Sequence, residues 1–270
     1  MREVTPKVYL IAQSKVNYHK AREWLNDLGA TEYKFTEGST GGEDLIQLAG
    51  KRCYMSFQPG LNPNIERVRK DMSEFITNIL KVGHGSVIEH ASYTFAIENV
   101  SRVFTGEMNR HRAGMAMSEG SMRYIRLTDM PFWRPTSLQE QEDDSEPIKE
   151  KKRESWRLFL KVVATVEDAY ADLETIWKEE LAPTSTFHQK KQLTSMFRRI
   201  VPMGVATGGV WSGNLRALRH IFTMRCAPAA EEEILLVASM MLEIMIKAEP
   251  LFFGDFELVN GYWQPKYMKV

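Results

Sequence analysis

Trp156, Phe159, Val163, Val166, Tyr170, Leu173 and Trp177 recur three and four residues apart. That spacing puts all of them on one stripe of a long α-helix and is incompatible with the two-residue period of a strand. The helix has to end before Pro183, because proline lacks the N–H and its ring clashes with the preceding turn. A heptad-like stripe of this kind reads as core or subunit interface rather than as a ligand site. Ahead of it, residues 139–153 turn from acidic to basic, a solvated connection and helix start.

The remaining elements follow from shorter patterns. Residues 8–12 form an apolar, β-favouring run, and residues 93–97 have the same strand character. A helical stretch around Lys20, Arg22, Trp24 and Leu25 ends near Gly29. Residues 57–64 contain two prolines and a glycine and read as a loop. Ile65, Val68, Met72, Ile76 and Ile79 predict an amphipathic helix stopped by Gly83. A further helix runs from about His188 to Val201, residues 204–214 are punctuated by glycine, and helical patterns resume over 216–224 and 231–247. The elements do not alternate regularly as βαβ, and no GxGxxG is present. The expectation is a single α+β domain over residues 1–270, not a dinucleotide-binding doubly wound fold.

Lys plus Arg and Asp plus Glu are 35 each, so no global electrostatic case for a nucleic-acid partner exists. With 43% hydrophobic and 26% charged residues in 270, the chain can bury a sizeable core. Cys53 and Cys226 lie far apart, without metal or disulfide spacing, and read as reduced thiols of a cytoplasmic protein. The apolar run near the start is too short for a signal-peptide core or a membrane span.

Four segments hold the polar residues of interest. Residues 83–90 carry His84 and His90 with Glu89 between them. Their spacing matches neither HExxH nor a common zinc pair, so no metal is expected. The glycines there serve helix C-capping, or they present His84 and Ser86 on a loop toward a ligand. Next come Arg110, His111 and Arg112, followed by Glu119, Ser121 and Arg123. Guanidinium groups fork onto phosphate oxygens, and a nearby carboxylate accepts from sugar hydroxyls or ring N–H groups. The bland alternative is a set of solvent-exposed helix-end charges. The third segment has Asn214 and Arg216, with Arg219, His220 and Arg225 on the helix that follows. Arg216 and His220 share a face, and Leu215, Leu218, Ile221 and Phe222 form the buried one, so the basic residues could be simply its outer side. Arg198 and Arg199, before Pro202, make the fourth segment, by itself an ordinary basic helix end.

Taken together, GHGSVIEHASYTF (83–95), SRVFTGEMNRHR (101–112), SEGSMRY (118–124), RRIVP (198–202) and SGNLRALRHIFTMR (212–225) resemble the flavin-dependent thymidylate synthase family in order and separation. The resemblance extends more weakly over about residues 42–256. It implies a mixed or antiparallel sheet with long helices, and a homotetramer whose active sites are shared between subunits. It implies FAD held by Ser86, Arg110, His111, Arg112, Asn214, Arg216 and His220, with His84 near the flavin and the folate. Glu107, Glu119, Ser121 and Arg123 would hold the nucleotide, and Arg198 or Arg199 would help at its phosphate. Arg225 would sit against the pyrimidine as the catalytic group, favouring ionisation at N3. The implied reaction is reductive C5-methylation of dUMP to dTMP, with methylenetetrahydrofolate as carbon donor and NADPH as reductant. It needs no enzymic cysteine.

The sequence departs from the family in three places near these residues. The loop between Arg112 and Ser121 is one residue longer, Ala229 stands where a histidine is usual, and residues 207–209 lack a common arginine. Substrate identity is therefore open between dUMP and UMP. A non-catalytic protein binding flavin or nucleotide is the reading from a different class.

Overall fold

The computed structural model describes residues 2–65, 67–127 and 129–268. In chain order the first elements are β1 (Arg2–Val4), β2 (Lys7–Gln13), α1 (Tyr18–Asp27), α2 (Gly41–Tyr54) and α3 (Met72–Val82). A 3-10 turn, Gly85–His90, leads into β3 (Ser92–Ser101), α4 (Arg102–Met108), β4 (Met115–Glu119) and β5 (Pro131–Trp133). The long α5 (Glu146–Ile176) and α6 (Phe187–Phe197) follow, then β6 (Ala206–Asn214), α7 (Leu215–Arg225) and α8 (Glu232–Ala248). A short α9 (Pro250–Phe253) and the hairpin β7 (Phe256–Val259) and β8 (Tyr262–Pro265) complete them.

The main sheet has the order β2-β3-β6-β4 and is antiparallel throughout, while β1 and β5 make a separate parallel pair. Tyr93, Phe95 and Ile97 alternate along β3 and are fully buried. They join Leu215, Leu218, Ile221 and Phe222 of α7 and Val237, Met241 and Met245 of α8 in the largest apolar cluster. This is the expected α+β class, with an antiparallel main sheet and long helices.

The stripe on α5 packs as its spacing requires. Trp156, Val163 and Tyr170 are buried, and Val166, Leu173 and Trp177 pack against them in a second cluster with Phe132, Phe197 and Val205. Phe159 is the exception, 43% exposed at the stripe's edge.

Four expectations are corrected. The helix predicted from Ile65 begins at Met72, because the Asp71 carboxylate accepts from Glu74 N at 2.7 Å and caps it there. It does end at Gly83, which takes φ 73°. The helix expected to reach Val201 stops at Phe197 and tightens into a 3-10 turn, Arg198–Ile200. The glycine-punctuated segment is the interior strand β6. Finally, Arg219 is not on the outer side of α7 but 2% exposed, forked onto Asp255 at 2.6 and 2.9 Å and donating to the carbonyls of Phe252 and Tyr267.

That buried pair ties α7 to the segment that enters the terminal hairpin. Asp255→Ala would leave the guanidinium without its counter-charge, an expected loss of about 3–5 kcal/mol of folding stability. The shift in denaturant midpoint measures it, and a change of the size seen at ordinary surface sites would contradict this role.

Candidate active site

Ser101 ends β3 and starts α4. Its hydroxyl accepts from the N–H groups of Val103 and Phe104 at 3.1 and 3.3 Å, and itself donates to buried Glu233, which also accepts from Ser101 N at 2.6 Å. Asn214 does the equivalent at the junction of β6 and α7, its Oδ1 accepting from Ala217 N at 2.8 Å. The apolar face of α7 is fixed in the core, so Arg216 and His220 remain exposed and Arg225 arrives at the far end of the helix. There it meets the C-terminal end of α4.

The meeting point is a charged cluster. The Arg225 Nε–H donates to His111 Nε2 at 2.8 Å, and Nη1 pairs with Glu107 Oε2 at 2.9 Å. The other Glu107 oxygen lies 3.0 Å from Arg110 Nη1. The imidazoles of His111 and His220 meet edge to face, with centroids 6.0 Å apart. Because His111 Nε2 accepts, the ring is neutral here and carries its proton on Nδ1. Burial, then Arg225 and His220, push the His111 pKa below its ordinary value, with Glu107 pulling the other way.

Glu119 lies at the end of β4 and faces inward. It is ion-paired with Arg102 and accepts from the Thr105 hydroxyl at 3.2 Å and from Asn109 Nδ2 at 3.0 Å. Asn109 is held in turn by Trp211 Nε1 at 3.2 Å. Burial, with Arg198 close by, lowers the Arg102 pKa. The sequence assigns no role to Arg102, Thr105 or Asn109, although all three lie in the quoted 101–112 segment, nor to Trp211. Their roles appear only when β4 folds back along α4. Next to Glu119 is a 630 Å³ cavity bounded by Ser118 and Gly120 on one side and by residues 207–209 on the other. A Cβ at Gly209 would run into the Ser118 carbonyl, while one at Gly208 would have to displace the Glu98 carboxylate. The missing arginine therefore accompanies a tight strand contact.

A second cavity, of 370 Å³, is lined by Glu89, Ala113, Gly114, Asn214, Arg216, Ala217 and His220. Arg216 pairs with Glu89 at 2.6 Å. Gly114 has φ 70°, and a Cβ there would stand 2.6 Å from Asn214 Nδ2, so glycine is required. Its carbonyl accepts from Asn214 N at 3.1 Å.

The structure thus gathers Glu107, Arg110, His111, His220 and Arg225 in one cluster and places Asn214 and Arg216 beside it. Ser86 and Arg112 are exposed, and Ser121 and Arg123 occupy a turn with Arg123 exposed. Arg198 and Arg199 are exposed at the end of α6. His84 lines a different cavity, near-parallel to Tyr54 at 6.3 Å. Among the described residues, no group of three or more His, Cys, Asp or Glu side chains is placed to hold a metal ion. Nor, among them, is any helix long and apolar enough to cross a membrane.

The lowered His111 pKa has a pH consequence. Above about pH 6.5, the ordinary imidazole value, His111 is neutral in both the folded and the unfolded chain and contributes no slope. As pH falls below it, the unfolded chain binds the proton first, so native stability declines. Protonation also removes the acceptor for Arg225. The melting temperature is expected to fall as pH drops below 6.5, less steeply in His111→Gln. Equal slopes in the two proteins would show that His111 titrates normally.

Comparison with known proteins identifies relatives in both sequence and fold. The model of the family described as thymidylate synthase complementing protein matches residues 35–251. The flavin-dependent thymidylate synthase of Mycolicibacterium vanbaalenii is 32% identical over 262 residues, covering 96% of this chain and 93% of the relative. That of Corynebacterium diphtheriae is 32% identical over 227 residues, 84% of this chain and 83% of its own. Among solved structures, a UMP/dUMP methylase, PolB from Streptomyces cacaoi bound with 5-Br dUMP, superposes with a TM-score of 0.62 at 16% identity. The match covers 94% of this chain and 96% of that one, a likeness of fold.

Proposed function

The chain belongs to the thymidylate synthase complementing protein family, that of the flavin-dependent thymidylate synthases, and from that premise we propose that it methylates C5 of a uracil nucleotide. The substrate is dUMP and the product dTMP, with methylenetetrahydrofolate as carbon donor and NADPH as reductant. The observation that carries this reading is the clamped Arg225, held through Nε and Nη1 by His111 and Glu107.

The residues of the 370 Å³ cavity suit the diphosphate part of FAD, which is too large to enter it whole. Gly114 leaves one wall bare, and Asn214, Arg216 and His220 offer donors around it. Arg110 and Arg112 add cations suited to a pyrophosphate. The Arg216–Glu89 pair is about half exposed on both sides, so exchanging Glu89 for a ligand oxygen costs little. Bound and reduced, FAD supplies the hydride that the reaction consumes.

The protein's own groups do the rest. Two of Arg225's donors are occupied within the chain, and this fixes the plane of the guanidinium before a ligand arrives. A cation fixed beside the pyrimidine stabilises negative charge on the ring, ionisation at N3 included, without reorganisation. In the balance of the reaction, C5 would gain the carbon of methylenetetrahydrofolate and lose its proton to solvent, tetrahydrofolate would leave, and bound reduced flavin would supply the two electrons and hydrogen that make the carbon a methyl group. Glu107, Ser121 and Arg123 hold the nucleotide, with Arg198 or Arg199 at its phosphate. Glu119 joins them: its oxygens are engaged by Arg102, Thr105 and Asn109, as those of Glu107 are by Arg110 and Arg225, and both carboxylates keep lone pairs for a ligand donor. The exposure of Arg112, Arg123 and Arg199 in the single chain supports sites completed by a second subunit of a cytoplasmic homotetramer.

Cysteine chemistry is not used. Cys226 is fully buried, and burial pushes its thiol up to about 12, so it holds no useful thiolate near neutral pH. Cys226→Ser is expected to keep turnover within a few-fold, measured as dTMP formed. Complete loss would restore a nucleophilic role.

Tritium release from C5-labelled dUMP, with UMP in parallel, tests the function in the presence of FAD, NADPH and methylenetetrahydrofolate. Release from dUMP with dTMP formed is the expected result. Release from UMP alone would move the activity to ribonucleotides, and silence from flavin-loaded protein would point to a binding-only descendant. Arg225→Ala is expected to cut release by roughly 10²–10³-fold while FAD stays bound. Loss of the flavin on purification would assign Arg225 to the cofactor instead.

A further inference from the structure

We propose that a separate basic pocket, across the 3-10 turn from the cofactor cavity, binds the phosphomonoester arm of the dinucleotide reductant. The inference rests on the function proposed above, and of the residues in the quoted motifs only His84 and Val87 reach this pocket. The pocket has a volume of 280 Å³, and its polar lining includes Lys51, Arg67, Arg69, Asn78 and Ser56, with Tyr54 and His84 also on its wall.

Its charge is unbalanced. Lys51 is 3% exposed, and its ammonium donates to the Arg69 carbonyl at 2.6 Å and lies over the rings of Phe75 and Tyr33 at 5.5 and 6.0 Å. Burial, and then Arg69, push its pKa down to about 8. Arg67 and Arg69 share one carboxylate, Glu74, at 2.5 and 3.5 Å. Three cations therefore face a single acidic group among the described residues around them. A buried ammonium satisfied only by a carbonyl and aromatic faces gains most from an arriving anion.

The shape selects the kind of anion. A cavity of 280 Å³ is too small for a whole dinucleotide or folate and takes one arm of either. A phosphomonoester concentrates about 1.5–2 negative charges on three oxygens in a compact volume. The two carboxylates of a glutamyl tail spread similar charge over separated positions and leave one of them outside so small a pocket. Tyr54 and His84, both exposed and inclined by only 17°, present ring faces beside the cations, suited to stacking an adenine.

The location suits a reductant. His84 lines this pocket, while Glu89, five residues on, lines the cofactor cavity. At about 2 Å rise per residue of 3-10 turn, the two sites lie roughly 10 Å apart. An elongated dinucleotide can keep its phosphate in one while its nicotinamide reaches the other.

The test is calorimetric titration of the FAD-loaded, full-length protein with adenosine 2′,5′-bisphosphate. Adenosine 5′-monophosphate and p-aminobenzoyl-glutamate are titrated as separate arms. The bisphosphate is expected to bind at least tenfold more tightly than the monophosphate, and Arg67→Ala to weaken it by roughly tenfold, the loss of one charge-assisted hydrogen bond. Glu74→Gln, which removes the competing carboxylate, is expected to tighten it several-fold. In the flavin-reduction half-reaction, Arg67→Ala should raise the KM for NADPH and leave NADH unchanged. Equal affinity for the two adenosine phosphates would overturn the proposal, as would indifference of the bisphosphate to Arg67→Ala and Glu74→Gln. Binding of p-aminobenzoyl-glutamate alone, weakened in Arg67→Ala, would instead assign the pocket to the folate tail. No turnover enters the titration, so failure here and failure to methylate dUMP are separate results.

Discussion

The ladder between β3 and β6 decides where every group of the site can be. It pairs Ser92 with Asn214 at one end and Ser101 with Ala206 at the other. From the second end α4 sets out beside Ala206, and from the first end α7 sets out at Asn214. The Gly114 carbonyl, beyond the end of α4, accepts from Asn214 N and closes the circuit. At 1.5 Å per residue, the 11 residues of α7 cover about 16 Å, which carries Arg225 back to Glu107 and His111. β4 then returns along β6, pairing Met115 with Gly213 and Glu119 with Gly209, and delivers Glu119 beside Arg102. Shifting β6 by one residue against β3 would turn its inward side chains outward and separate these groups. The buried indole of Trp211, mid-strand, resists such a slip, because its N–H is committed to Asn109.

Charge in the site is balanced locally. Glu107 sits between Arg110 and Arg225, and Glu119 sits on Arg102. None of these groups is deeply buried, so the pairs contribute more to orientation than to stability. The same holds beside the 370 Å³ cavity, where Glu89 holds Arg216 at 2.6 Å and both are about half exposed. A ligand with phosphate oxygens thus meets guanidinium groups already aimed, with little side-chain entropy left to lose.

Much of this was legible from residue spacing, and the misses share physical causes. The stripe on α5 and the patterns of α7 and α8 are visible because helices bury one face with a fixed period. β6 was not, since Gly208, Gly209 and Gly213 have no side chains with which to alternate, and their use is close approach to Glu98, the Ser118 carbonyl and Met115. β4, with Met115, Ala116 and Met117, looked like a loop because an edge strand this short has too few alternations. α2 was overlooked although Thr40 and Glu43 form a reciprocal capping box. Ile65 and Val68 continued a helical pattern that the Asp71 cap overrides. Arg219 repeats the lesson in reverse, since an arginine on a helix looks solvent-facing until a carboxylate from a later segment is buried against it. In the site, the polar motifs identified the segments, but only the fold shows that Glu119 spends both oxygens inside the chain.

That engagement bears on how the longer loop is tolerated. An extra residue between Arg112 and Ser121 would normally displace whatever follows it. Gly114 precedes β4, and its positive φ and contact with Asn214 turn the chain sharply into the sheet. From Met115 onward the ladder with β6 resets the register, and the bonds to Thr105, Asn109 and Arg102 fix its end at Glu119. Gly209 lets β4 lie close enough for this, since a Cβ there would meet the Ser118 carbonyl and Glu119 Cα. At Gly208 and Gly209 the β6 wall is bare backbone, and the cations lining the cavity beside it are Arg2 and Arg126.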